Sequence, residues 1–193
     1  MAQRRGPRAR DADTRSDIVA AAREEFASHG YEGTAVRAVA RRAGVDPALV
    51  RHYFGDKTVL FAAALRLPVD PTAVIRGVLV GERADVGANV VRAFCQTWDQ
   101  PQNRVAMLAA FRTAVRGGPT ANLLREFLTG PVLGHVARRS GAADPAAAAA
   151  LAASQLAGII VVRYVLEAEP VASATIDTMV AWYGPVLQRH LTT

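Results

Sequence analysis

A glycine between two short apolar helical patterns is the feature that most constrains the fold of this chain. Val36, Val39 and Ala40 place apolar side chains at helical spacing before Gly44. A second short pattern starts at Pro47, and proline is favoured in the first turn of a helix. Glycine tolerates the left-handed backbone that ends many helices. The pattern therefore predicts two short helices joined by a tight turn, which is a helix-turn-helix.

Helical patterns also flank this motif on both sides. Thr14 is expected to cap a first helix, whose apolar residues recur every four positions over residues 18–26 and which ends at Gly30. Thr34 is expected to cap the helix before the turn, and Asp56 a fourth helix that runs towards Pro68. The predicted head is thus a three-helix helix-turn-helix unit followed by a fourth helix.

From residue 71 onward, helical patterns alternate with breaks at glycine and proline. The expected helices cover residues 72–80, 85–99, 101–116, 120–139, 145–167 and 173–191, and Gly130-Pro131 is expected to kink or divide the fourth of them. Strand-forming runs are scarce, so the predicted fold class is all-α. We divide the chain into a basic arm at residues 1–13, expected to be disordered, a head at 14–66, and a larger helical body at 67–193.

Charge and cysteine content narrow the possible partners. The net charge of +6 favours a polyanionic partner. The single cysteine, Cys95, rules out an intramolecular disulfide and a cluster of cysteine metal ligands.

No apolar segment follows the basic N-terminus as in a signal peptide. The apolar run at residues 156–166 is expected to be too short to span a bilayer. We expect a cytoplasmic protein with no membrane partner.

Residues 30–61, GYEGTAVRAVARRAGVDPALVRHYFGDKTVLF, resemble the DNA-binding head of the tetracycline-repressor (TetR) family. The family pattern is matched in order and spacing by Gly30, Tyr31, Thr34, Val39-Ala40, Ala43-Gly44-Val45, Tyr53-Phe54 and Lys57. The resemblance covers about residues 14–65, a third of the chain. It implies a transcriptional repressor that binds double-stranded operator DNA. Asp46, Leu49 and Arg51 depart from the common pattern, so the base preference does not follow from the family.

The resemblance assigns the recognition helix to the segment that starts after Asp46 and ends at Tyr53. Pro47 and Ala48 would offer bases only apolar contacts, whereas an arginine can form two hydrogen bonds with guanine. Arg37 is expected to contact bases, and Arg51 either bases or phosphate. The alternative for each arginine is an ordinary solvated charge. The predicted DNA-binding residues are Thr34, Arg37, Pro47, Ala48, Arg51, His52, Tyr53 and Lys57, of which Thr34, Tyr53 and Lys57 correspond to phosphate contacts of the family.

A single head buries little surface on DNA, so we expect a homodimer on a palindromic operator. The family usually dimerises through its last two helices, and residues 155–166 are apolar nearly all round. The predicted interface residues are Leu156, Ile159, Ile160, Tyr164, Met179, Trp182 and Val186. An alternative, compatible with this one, is that the helix forms the central core of one monomer.

Family members hold a small ligand in a cavity of the body, and binding moves the heads. The aromatic and methionine side chains of the body predict such a pocket for an apolar effector at Phe94, Trp98, Met107, Phe111, Leu124 and Phe127. The alternative is that these residues form a plain core. No cofactor and no metal are expected.

Three other functions are alternatives to a ligand-released repressor. The four histidines fall in four different elements without metal-ligand spacing, and no nucleophile elbow or phosphate-binding glycine loop occurs, so the chain is not expected to be an enzyme. A DNA-binding protein without sequence preference would not need the large helical body. A corepressor-dependent or activating member of the same family remains an alternative.

Overall fold

The computed structural model describes the backbone of residues 7–193 and the side chains from residue 13 onward. Over that range the chain forms helices and loops without any strand, which confirms the all-α prediction. The chain divides into two compact units, Met1–Arg66 and Leu67–Thr193.

The N-terminal unit consists of four helices around a small aromatic core. They are α1 (Pro7–Gly33), α2 (Val36–Ala43), α3 (Pro47–Phe54) and α4 (Lys57–Ala64). Non-helical backbone at Gly30 (φ 69°) interrupts α1 where the sequence predicted its end. Phe26 and Phe61 are fully buried with ring centroids 4.4 Å apart. Each such side chain contributes about 1.5–3 kcal/mol on burial, so this pair anchors α4 on α1.

The start of α1 corrects the prediction of a disordered arm at residues 1–13. The helix begins at Pro7 rather than at a Thr14 cap. Proline suits the first helical turn, and neither glycine nor proline occurs between residues 8 and 13, where arginine and alanine favour helix. An existing helix can extend through residues that have no apolar stripe. The lack of such a stripe in this segment therefore does not indicate disorder. The rest of the predicted arm, residues 1–6, lies outside the described residues.

The C-terminal unit contains seven α-helices in the described chain, with shorter helical turns between them. They are α5 (Pro71–Val78), α6 (Val86–Trp98), α7 (Pro101–Arg116), α8 (Pro119–Phe127), α9 (Leu133–Arg139), α10 (Pro145–Ile159) and α11 (Ile176–Thr192). A 3₁₀ turn spans Arg83–Asp85 and π-helical turns span Leu128–Val132 and Ile160–Val165. The first π turn contains Gly130-Pro131, because proline lacks the N–H that a regular helix requires.

Aspartate caps fix the starts of four helices. The carboxylates of Asp46, Asp56, Asp70 and Asp144 accept hydrogen bonds from backbone N–H groups of the first turns of α3, α4, α5 and α10. In α3, α5 and α10 a proline follows the aspartate directly. A cap of this kind contributes about 1 kcal/mol and involves only neighbouring residues. The local sequence therefore determines where these helices begin.

Helices α6 and α11 cross with their backbones in contact. A Cβ atom added at Gly87 would lie 2.3 Å from the carbonyl oxygen of Gly184 and 2.4 Å from the backbone nitrogen of Gln188. The Gln188 side chain accepts a hydrogen bond from the Gly87 N–H over 2.8 Å. Because no side chain fits between them, glycine at position 87 determines how closely the two helices approach.

Most of the residues predicted to form the dimer interface are instead buried within one chain. Leu156, Ile159, Tyr164 and Met179 are buried in the core of the C-terminal unit within a single chain. Helix α10 is apolar on several sides because it packs against α9 and α11 of its own chain. Of the other predicted interface residues, Ile160 is half-buried, and Trp182 and Val186 are exposed.

Helix α10 and its π-helical extension, Pro145–Val165, form a 21-residue helix that is long and apolar enough to cross a membrane by length and composition alone. The sequence had suggested a shorter apolar run. Core helices of soluble proteins have the same length and composition, so this feature is weak evidence for a membrane span. The guanidinium of Arg163, inside this helix, forms an ion pair with Asp99.

Candidate nucleic-acid interface

The turn between α2 and α3 has the geometry that the sequence predicted. Gly44 adopts a left-handed conformation (φ 68°, ψ 31°), and the Val45 N–H donates to the carbonyl of Ala40 over 3.0 Å. The Asp46 carboxylate then accepts from the Ala48 N–H over 2.7 Å and starts α3. This left-handed residue and cap set the angle between the two helices without long side chains in the turn.

Helix α3 has one buried side and one exposed side. Val50 and Phe54 lie in the core of the head, whereas Ala48, Arg51 and His52 are exposed. Pro47 and Tyr53 are half-buried at the margin. The exposed residues include the N-terminal part of the helix, which is the part that contacts base edges in helix-turn-helix proteins.

Helix α2 presents two further exposed arginines. Arg37 and Arg41 are four residues apart on one face, and neither forms an ion pair or side-chain hydrogen bond within the described part of the chain. Arg37 is among the DNA-binding residues predicted from the sequence, whereas Arg41 is not. The spacing of four from Arg37 would have indicated it.

Arg42 has a different role from its neighbour. Its Nε–H donates to Glu25 Oε1 over 2.6 Å and its NH1 group to Glu24 Oε2 over 2.9 Å. Glu25 is buried, and its hydrogen bond with Arg42 holds the pKa of its carboxyl below the usual value. Arg42 therefore ties α2 to α1, whereas Arg37 and Arg41 are the arginines of α2 that form no ion pair in the described residues.

The prediction that Thr34 caps α2 is wrong. Ala35, not Thr34, precedes α2, and no side chain caps that helix. The Thr34 hydroxyl is buried and contacts the carbonyls of Glu25 and Gly30 at 3.1 and 2.7 Å. A small hydroxyl fits here because it can hydrogen-bond these backbone carbonyls next to the break in α1. This hydroxyl is accordingly not exposed to a phosphate.

Lys57 lies on an aromatic platform at the start of α4. Its Nζ is 4.5 Å from the centre of the Tyr31 ring and donates to the Glu32 carbonyl over 3.3 Å. The Tyr31 hydroxyl hydrogen-bonds Thr58 Oγ1 over 2.8 Å. These contacts hold the ammonium group at the edge of the head, with donor capacity remaining for an anion. Sequence reasoning gave Tyr31 no such role.

The predicted effector residues do not line either of two cavities in the C-terminal unit. Met107 and Phe127 are buried, and Phe94, Trp98, Phe111 and Leu124 are half-buried. One cavity of about 320 Å³ is polar and includes Asp99, Arg104 and Arg163 in its lining. The other, of about 390 Å³, is apolar and lies between the start of α6 and α11. Across the described residues, no group of three or more histidine, cysteine or acidic side chains is suited to bind a metal.

Two family models match the chain. Residues 18–64 match the model described as "Bacterial regulatory proteins, tetR family", which spans the helices described above. Residues 84–191, more than half of the chain, match "Tetracyclin repressor-like, C-terminal domain".

Transcriptional regulators that are similar in sequence support the same family. The transcriptional repressor AcnR of Corynebacterium efficiens is 43% identical over 54 residues, which cover 28% of this chain and 29% of AcnR, so the chain spans less than a third of that repressor's length. The transcriptional regulator BetI of Agrobacterium fabrum is 30% identical over 178 residues, 88% of this chain and 85% of BetI. A TetR-family regulator from Streptomyces coelicolor A3 is 36% identical over the full length of both chains, with a TM-score of 0.50. This chain therefore belongs to the TetR family of DNA-binding transcriptional regulators.

Proposed function

We propose that this regulator is a homodimeric repressor that binds a palindromic operator through α2 and α3 and leaves it when a small molecule binds the C-terminal unit. The observation that carries the proposal is the exposed set of cationic and small side chains on these two helices. Arg37, Arg41 and Arg51 supply charge, and Ala48 supplies a surface small enough for close approach to base edges.

In this proposal the exposed arginines of α2 have different targets. An arginine can pair with both acceptors of guanine in the major groove, and we assign that role to Arg37. Arg41, one turn later, and Lys57 at the start of α4 contact phosphates. Asp56 already accepts the N–H groups of Thr58 and Val59, so a phosphate near α4 depends on the Lys57 ammonium rather than on these amides.

The dimer surface consists of exposed apolar residues of α10, its π-helical extension and α11. Trp182 is 44% exposed, and Leu151, Val165 and Val186 are also exposed. Exposed large apolar side chains that are grouped on two neighbouring helices indicate a surface that a second copy of the chain would bury. This surface replaces the buried residues that the sequence suggested, and it retains Trp182 and Val186.

Release requires two states of the dimer that differ in DNA affinity. A ligand that binds one state more tightly shifts the population towards it. The C-terminal unit offers the polar cavity of about 320 Å³ described above, which is within the size range of small-molecule sites.

The proposal is tested by selecting random DNA duplexes on the purified protein and measuring the selected duplex by fluorescence anisotropy. We expect a two-fold symmetric motif whose half-sites lie about one helical turn apart. Binding with equal affinity to all duplexes would contradict sequence-specific recognition. An asymmetric motif bound by one chain would contradict the dimer.

A further inference from the structure

The polar cavity of the C-terminal unit carries an inference about the class of ligand. It lies where the end of α6, the start of α7 and the π-helical extension of α10 come together with the loop before α11. Its lining consists of Asp99, Arg104, Arg163, Tyr164, Glu167, Glu169, Ala172 and Ser173. Six of these eight residues carry a charge or a phenol hydroxyl, so the cavity is suited to a polar ligand rather than an apolar one.

The charges at the base of the cavity are arranged around Asp99. Arg163 donates its Nε–H to Asp99 Oδ1 over 3.2 Å and its NH2 group to Oδ2 over 3.1 Å. The Tyr164 hydroxyl donates to Oδ1 over 2.9 Å. The remaining NH1 group of Arg163 donates to the carbonyls of Val171 and Ala174. The Arg163 and Asp99 charges therefore offset each other, and the polar groups of Arg163 are satisfied.

Arg104 adds a second positive charge that is not offset in the same way. Its NH2 group donates to the backbone carbonyl of Asp99 over 3.3 Å, and its guanidinium lies 5.2 Å from the centre of the Tyr164 ring. Its Nε atom is buried and has no hydrogen-bond partner within the described chain. A buried donor without an acceptor is unfavourable, and a carboxylate is the acceptor that a guanidinium binds best.

The rim of the cavity is negative. Glu167 and Glu169 are exposed, and the Glu169 carboxylate accepts a hydrogen bond from the Ser173 hydroxyl over 2.6 Å. Glu167 makes no such bond in the described residues and has a left-handed backbone (φ 49°). Non-glycine residues rarely adopt that conformation, and strained residues of this kind are concentrated at ligand sites. The cavity thus has an excess positive charge inside and carboxylates at its mouth.

We propose that this cavity binds a small zwitterion, with its carboxylate at Arg104 and its ammonium group at Glu167. The charge arrangement selects for a molecule that carries both groups. A simple carboxylate would meet the acidic rim, and a simple amine would meet the arginine. As an effector site the cavity rests on the ligand-released function proposed above, whereas binding itself is measured without DNA.

The test titrates the full-length protein by calorimetry with the unbranched ω-amino acids from glycine to 6-aminohexanoic acid. This series varies only the distance between the two charges. The matched controls are the n-alkyl carboxylic acids, which lack the ammonium group, and the n-alkyl amines, which lack the carboxylate. We expect one chain length to bind best, and both matched controls to bind at least about tenfold more weakly.

Two variants assign the contacts. Arg104→Gln and Glu167→Gln are each expected to weaken the preferred amino acid at least about tenfold. Arg112→Gln, on the same helix as Arg104, and Glu82→Gln are exposed controls that should leave binding unchanged. Glu167 is on the surface, so its variant keeps the test valid if Arg104→Gln impairs folding.

The proposal is overturned if no amino acid of the series binds, if the matched acids or amines bind equally well, or if both variants bind as the wild type does. Operator affinity is then measured separately with and without the bound amino acid. An amino acid that binds the cavity without changing operator affinity supports the site and contradicts the ligand-released function. The two failures are therefore distinguishable.

Discussion

Arg42 and Glu25 form the connection between α1 and α2, with Arg42 Nε donating to Glu25 Oε1 over 2.6 Å. The carboxylate is buried, whereas the guanidinium is partly exposed and also contacts Glu24. His29 lies on the other side of the carboxylate, with its Nδ1 3.4 Å from Glu25 Oε2. Together with the fully buried Val39 and Ala40, this ion pair holds α2 against the rest of the head.

Replacing Arg42 should lower stability at neutral pH. In Arg42→Ala the Glu25 carboxylate stays buried without its main partner, so the Tm should fall, whereas Arg41→Ala on the same helix should change the Tm little. The hydrogen bond from Arg42 lowers the folded-state pKa of Glu25, so its contribution is present above the unfolded pKa and is lost as pH falls through the folded value. The difference in Tm between wild type and Arg42→Ala should therefore shrink below about pH 4. Thermal unfolding followed by circular dichroism from pH 7 to pH 3 measures this, and a constant difference would contradict the assignment.

Removing Arg37 should impair discrimination between bases. Arg37→Ala should weaken binding to the selected operator by about 1–3 kcal/mol for each half-site and relax the preference at one position of each half-site. Arg76→Ala, which removes an exposed arginine of α5 in the other unit, is the control for net charge. Anisotropy titrations against the operator and single-base variants give both values. Equal losses for the two variants would mean that Arg37 acts only through charge.

Lys57 should contribute affinity without base preference. In Lys57→Met the methionine side chain can still pack on the Tyr31 ring, but the contact of the ammonium group with phosphate is lost. The proposed dimer loses two such contacts on one operator, so the slope of log affinity against log salt should become shallower by about 1.8, with unchanged preference among operator variants. A salt series of binding titrations measures the slope, and an altered base preference would point to a role in direct readout instead.

Trp182 should contribute to subunit association. A charge at this partly exposed position would be buried in the proposed interface, so Trp182→Glu should shift the protein to monomer and reduce operator affinity with it. Val105→Glu places the same charge on an exposed apolar position of α7 and should leave the mass unchanged. Light scattering during size-exclusion chromatography gives the mass of each variant. A Trp182→Glu protein with the wild-type mass would place the interface elsewhere.

Gly87 should tolerate no side chain. A Cβ at this position would meet backbone atoms of α11 at 2.3–2.7 Å, and backbone cannot turn aside as a flexible side chain does. Gly87→Ala should therefore lower the free energy of unfolding by about 1–3 kcal/mol. Gly77→Ala in α5 meets no atom within 4 Å and should raise stability by about 0.5–1 kcal/mol. Urea unfolding of both variants tests the contrast.

The sequence predicted those elements whose limits are set by local chemistry. The Asp46-Pro47 and Asp144-Pro145 starts, and the left-handed Gly44, are visible in the sequence because caps and glycine turns depend on neighbouring residues. The start of α1 was missed because a helix can extend through residues without an apolar stripe. The buried residues of α10 were assigned to a dimer because an apolar helix looks the same whichever chain covers it. The Asp99–Arg163 pair joins positions 64 residues apart, and nothing local indicates such a pairing.

The contact between α6 and α11 has a mechanical consequence for a regulator. Side chains between two helices act as a deformable layer that can absorb small shifts by changing rotamer. At Gly87 and Gly184 that layer is absent, so we expect a shift of α6 at this crossing to displace α11 as well. Asp99, at the base of the polar cavity, directly follows the last residue of α6, and Trp182 is exposed on α11. We therefore expect a displacement of α6 near Asp99 to change the position of α11, the helix that carries Trp182.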